Sequence, residues 1–90
     1  LLIIGICAVA REATAQTSRY GCYQVTAGAL NLRKSAWASS DVVGVVYRGN
    51  ILAKRRRFCA LRGFWCPVRT KSGINGWADK KYIKKVDCKA

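Results

Sequence analysis

Between Tyr20 and Cys88 no segment holds apolar residues at i, i+3, i+4 and i+7 through three turns, as a core-facing helix requires. The chain runs instead through short β-branched and aromatic stretches separated by glycine-bearing turns, which is the pattern of a small all-β barrel. Strands are expected at 20–26, 30–33, 42–47, 51–58 and 64–70, then from Gly76 and again over 82–86. Gly44 marks a bulge or kink inside its strand, and Pro67 places its strand at an edge or a bulge because it cannot donate to a ladder. A polar loop, 35–41, carries one aromatic, Trp37. Asp79-Lys80-Lys81 reads as a single helical turn before the last strand.

The start of the chain has a different character. Leu1 to Ala10 is almost wholly apolar and is followed by small residues at Ala13 and Ala15. An apolar run of this length before an A-x-A site is the end of a secretory signal peptide. It is shorter than the roughly 20 apolar residues that span a membrane. We therefore assign 1–15 to a signal peptide whose beginning precedes Leu1, and 20–88 to the barrel. The protein is expected in the periplasm or outside the cell.

A cut after Ala15 removes Cys7 and leaves Cys22, Cys59, Cys66 and Cys88. Four cysteines in a short exported chain point to two disulfides. A zinc site would need a C-x-x-C pair or histidine, and the chain has neither. A domain this small buries only about 60% of its unfolded surface, so covalent closure is a usual remedy.

The formal net charge is +13, and it stays +13 after cleavage because Arg11 and Glu12 leave together. Such a field draws anionic polymers and surfaces. Nothing assembles a catalyst. Histidine is absent, the carboxylates Asp41, Asp79 and Asp87 are scattered, and oxidised cysteines supply no thiolate. No cofactor is implied. The chain reads as a binding module.

Ala29-Leu30-Asn31-Leu32-Arg33, Val43-Gly44, Arg48-Gly49, Trp65 with Val68, and Gly76-Trp77 followed by Tyr82-Ile83 stand in an order and spacing that resemble the bacterial SH3-like (SH3b) domain over about 24–84. Cys59 with Trp65-Cys66 also resembles small exported proteobacterial members whose hairpin is cysteine-linked. The resemblance implies an SH3-like open barrel of five to six strands that binds peptidoglycan or peptides of the cell wall. It also implies that first and last strands are neighbours, hence the pairs Cys22–Cys88 and Cys59–Cys66. Asp79 stands where SH3 domains that bind proline-rich peptides carry proline, which argues against such a ligand.

Candidate ligand-binding residues follow. Trp37 is an aromatic on a polar loop, either a contact residue or a lid on the core. Tyr82 matches the tyrosine that lines the groove of the resembled family, and Tyr47 is a weaker candidate at a strand end. Lys54-Arg55-Arg56-Arg57 is the densest basic run; Arg55, Arg56 and Arg57 form a candidate anion patch. Alternate strand residues face opposite sides, so the run is expected where a hairpin projects beyond the barrel. Lys80, Lys81, Lys84 and Lys85 make a second basic group. Trp65 and Trp77 are expected in the core. The expected partner is a cell-wall polymer or peptide; the alternative is an anionic surface, nucleic acid or membrane, met by the basic patch with Trp37, Tyr47 and Phe58. Mass spectrometry of exported protein should find an N-terminus at Gln16, and retention of Leu1 to Ala10 would overturn the assignment of compartment.

Overall fold

The computed structural model describes residues 17–88, so the proposed signal peptide lies outside the described residues. Seven strands form one antiparallel sheet: β1 Cys22–Val25, β2 Ala29–Arg33, β3 Val42–Tyr47, β4 Ile51–Lys54, β5 Trp65–Arg69, β6 Asn75–Asp79 and β7 Ile83–Val86. Their order across the sheet is β3-β2-β6-β5-β4-β1-β7. A single 3-10 turn, Lys80–Tyr82, joins β6 to β7, capped by Asp79, whose side chain accepts from the Lys81 amide. The all-β expectation stands: the seven strands fall on the seven stretches marked in the sequence, against the five to six that the family resemblance implied.

Every strand sends apolar side chains into one core: Tyr23 and Val25, Leu30 and Leu32, Val46, Leu52, Cys66 and Val68, Ala78, and Ile83. The inward set recurs at every second residue of its strand, as pleating dictates. Gly76 lets β6 come close to the β2–β3 hairpin. A Cβ there would lie 3.0 Å from the Leu32 Cβ and 3.1 Å from the Val43 Cγ2. The hairpin itself carries a bulge, since Leu32 pairs with Gly44 but Arg33 with Val42. Val43 is the extra residue, next to the glycine where the sequence placed a kink.

Pro67 sits in an interior strand, against the expectation of an edge. The reason lies in the ladder. The Arg55 amide donates to the Pro67 carbonyl at 3.0 Å, so the proline's backbone polar groups face β4. In an antiparallel pair the N–H and C=O of one residue point the same way. The missing N–H therefore falls on the β4 side, where that strand ends at Lys54, and the Pro67–Trp77 pairing with β6 loses nothing. Strand β4 accordingly stops at Lys54 instead of running on to Phe58.

β1 lies between β4 and β7, which brings the chain ends together. Cys22 is bonded to Cys88 with Cα atoms 5.0 Å apart, and Cys59 to Cys66 at 4.2 Å. Both expected pairs are present. The second loop is tied inward as well: the Tyr23 hydroxyl donates to the Cys59 Sγ at 3.3 Å, because a disulfide sulfur can only accept. The loop turns through Leu61, Arg62 and Gly63, all at positive φ.

The two bridges close loops of very different length, 66 against 7 residues of separation. On the chain-entropy model, replacing Cys22 and Cys88 by alanine should cost about 4 kcal/mol and replacing Cys59 and Cys66 about 2–3 kcal/mol. Urea denaturation of the two double variants measures this, and a larger loss from the short loop would contradict it.

Candidate ligand groove

The register of β5 against β6 pairs Trp65 with Asp79, Cys66 with Ala78, Pro67 with Trp77, Val68 with Gly76 and Arg69 with Asn75. Cys66, Val68, Gly76 and Ala78 are buried, so their neighbours Trp65, Arg69, Asn75, Trp77 and Asp79 lie on the outer face. This face carries a strip with Trp65 and Asp79 at one end, Trp77 in the middle and Arg69 with Asn75 at the other.

At the first end a groove of about 520 Å³ opens between β2, the 34–41 loop and the 3-10 turn. Trp65 and Tyr82 give it aromatic walls, and Asp79, Arg33 and Lys81 give it charge of both signs. The 3-10 turn delivers Tyr82, leaving it 40% exposed. Lys81 lies 3.9 Å from the Asp79 carboxylate and 5.4 Å from the Tyr82 ring centroid. At this exposure the ion pair is worth little in stability. The turn is tied to the disulfide loop, since the Lys80 amide donates to the Phe64 carbonyl at 2.9 Å. A second concavity, of about 670 Å³, continues along that loop past Leu61, Phe64 and Trp65.

The 34–41 loop holds its shape by its own hydrogen bonds. The hydroxyl of buried Ser40 accepts from the Ser35 amide at 2.8 Å, and Arg33 Nη1 donates to the Ser40 carbonyl at 3.1 Å. The Trp37 amide donates to the Ser35 carbonyl at 2.8 Å. Trp37 is 55% exposed, so it is no lid on the core, and its neighbour Ala38 lines the groove.

The other candidates scatter. Tyr47 lines a separate concavity of about 510 Å³ with Val45, Ile51 and Ile74, so Tyr47 and Tyr82 do not share a site. The basic run leads from the end of β4 into the connection to β5, where Arg56 and Arg57 are exposed. Arg55 folds back on the sheet: its Nε donates to the Val68 carbonyl at 3.0 Å and its Nη2 to the Gly76 carbonyl at 3.1 Å. Its guanidinium lies 5.6 Å from the Trp77 ring centroid, and that of Arg56 at 5.7 Å. Burial, and then the nearby Arg56 and Arg69, hold the Arg55 pKa below its ordinary value. Arg57 stands over exposed Phe58, at 6.0 Å. The candidate patch is thus one structural arginine, one arginine over Trp77 and one arginine at the surface. The run is not one strand face, because β4 ends at Lys54, its first residue, and the backbone turns.

Trp65 and Trp77 are half-buried on the outer face rather than in the core. The core expectation missed Trp65, Asp79 and Arg33 as groove residues. A signal was available: if disulfide-bonded Cys66 points inward, period-2 alternation sends Trp65 outward. The meeting of Arg33 with Trp65 had no signal, since it depends on β2 lying beside β6. Among the described residues no cluster of His, Cys, Asp or Glu could hold a metal ion.

Residues 28–84 match the model of a family described as bacterial SH3 domain. No curated protein and no solved structure matches the chain.

The contrast within the basic run is measurable. Arg55→Ala strips the donors from two carbonyls and uncovers Trp77, which should cost about 1–3 kcal/mol. Arg57→Ala should stay within about 0.5 kcal/mol of the parent. Equal shifts of the urea midpoint in the two variants would refute the structural role of Arg55.

Proposed function

Since the chain belongs to the bacterial SH3 domain family, a family of binding modules, we propose that it is a non-catalytic, exported module of the cell envelope whose groove takes a wall peptide or wall polymer. The observation that carries this reading is the groove itself. Trp65 and Tyr82 offer apolar contact, and Arg33, Lys81 and Asp79 offer groups for a ligand bearing both carboxylates and amines. A short peptide of the wall has that character. Trp37, exposed on the adjoining loop, extends the aromatic surface. The two disulfides support an oxidising compartment and so an exported chain. The net charge of +13 favours association with an anionic matrix at a range set by salt.

The groove and the field make separable contributions. Aromatic contact is barely screened by salt, whereas a field is. Tyr82→Ala and Trp37→Ala should each weaken binding to purified wall fragments by about 1–2 kcal/mol at both low and physiological ionic strength. Arg57→Ala should weaken it chiefly at low salt. Titration of wall fragments and of single-stranded nucleic acid at two ionic strengths decides. Unchanged affinity in both aromatic variants removes the groove as the site, and tighter binding to nucleic acid at physiological salt favours a charge-driven nucleic-acid binder instead.

A further inference from the structure

The far end of the same outer face, where Arg69 pairs with Asn75, opens into a cavity of about 390 Å³. Among the described residues five cations line it, Arg19, Lys54, Arg55, Arg56 and Arg69, and no carboxylate does. They come from the segment before β1, from the end of β4 and from β5, positions far apart in sequence. Like charges gathered in one concavity repel: after burial, the neighbouring Arg56 and Arg69 lower the Arg55 pKa. Asp41, Asp79 and Asp87, the carboxylates of the described residues, are not among the residues that line it.

Two of these cations, Arg55 and Arg69, are held by side-chain hydrogen bonds. Arg55 is fixed by its bonds to the Val68 and Gly76 carbonyls and by Trp77 beneath it. The Ser18 hydroxyl donates to the Lys54 carbonyl, and Arg69 Nη2 donates to the Thr17 carbonyl at 3.4 Å, which ties the segment bearing Arg19 across the cavity. Arg19 rests 5.6 Å from the Tyr20 ring centroid. Donors fixed before a ligand arrives reduce the ordering cost of binding it.

We propose that this cavity is a binding site for a phosphate monoester, distinct from the aromatic groove and independent of the reading given to it. A monoester carries close to two negative charges near neutral pH and three terminal oxygens. Guanidinium groups match those oxygens two at a time. A carboxylate offers one charge and two oxygens, and the phosphodiester of a nucleic acid offers one charge per linkage. The monoester is therefore the common biological group that best answers several clustered guanidiniums. Its carrier is a sugar phosphate or a phospholipid headgroup, which share this chemistry.

The test titrates the isotope-labelled full chain with inorganic phosphate at constant ionic strength, read by amide chemical shifts. Saturable shifts are expected at Arg19, Lys54, Arg69 and Asn75. Arg19→Ala, at an exposed position, and the double variant with Arg56→Ala should weaken the affinity by about tenfold or more. Tyr82→Ala should leave it unchanged, which separates this site from the groove. Binding should tighten between about pH 5 and pH 7.5, as phosphate passes from monoanion to dianion near its second pKa of about 6. The chain has no histidine to imitate that profile. Glucose 1-phosphate and phosphatidic acid vesicles, each competing against inorganic phosphate, identify the carrier, and competition by either one supports the site. Shifts that chloride reproduces at equal ionic strength, affinity that ignores pH, or full retention of binding in the double variant would overturn the proposal.

Discussion

The antiparallel register of β5 against β6 governs both the inside and the outside of this molecule. One set of alternating residues, Cys66, Val68, Gly76 and Ala78, goes to the core, and the other set becomes the surface that carries the groove and the basic cavity. A slip of one residue would reverse every assignment. Three constraints hold the register. Gly76 lets β6 approach Leu32 and Val43, where a side chain would collide. The Cys59–Cys66 bridge pins the entry to β5. Arg55 bonds one carbonyl on each strand, Val68 and Gly76, and covers Trp77 between them.

Charge in this chain has two uses that composition cannot separate. Some cations are structural. Arg55 bridges two strands, Arg33 closes the 34–41 loop through the Ser40 carbonyl, and Arg48 reaches the Thr26 carbonyl. A guanidinium suits these positions, because its planar fork satisfies carbonyls at fixed angles, and at Arg55 it also lies near the Trp77 ring. Other cations, such as Arg57 and Arg19, lie at the surface. The net charge of +13 is therefore not one patch but a field with a concave focus at the end of the β5–β6 strip. A concave low-dielectric wall strengthens the attraction of an anion over that of a flat surface with the same charge.

The groove shows how a small barrel positions chemistry without a large core. Tyr82 is delivered by one 3-10 turn, capped by Asp79 and anchored to the disulfide loop through the Phe64 carbonyl. The opposite wall is the 34–41 loop, whose hydrogen bonds run through Ser40. Both walls are short, locally satisfied pieces placed on a covalently closed scaffold, so they are held without burying much apolar surface of their own.

Much of the architecture was legible in residue order. The absence of helical spacing, the β-branched runs and the kink beside Gly44 are local properties, decided by backbone sterics and by side-chain alternation within a few residues. The pairing of four cysteines was legible through likeness to a family. What failed to be legible was non-local. Pro67 is interior because its missing donor meets the end of β4. Trp77 faces outward because Gly76 and Ala78 face in, whereas for Trp65 the bonded neighbour Cys66 gave a local signal. Arg55 serves the fold because β4 ends one residue earlier and the chain turns back over Trp77. Arg19 and Arg69 meet only because the segment before β1 crosses to β5, where the Thr17 carbonyl accepts from Arg69. Sequence alone determined that this chain is a cysteine-closed β barrel with a strongly positive charge. Which of its aromatic and basic side chains share a surface was decided by the tertiary structure, because strand order and register join residues that no local spacing relates.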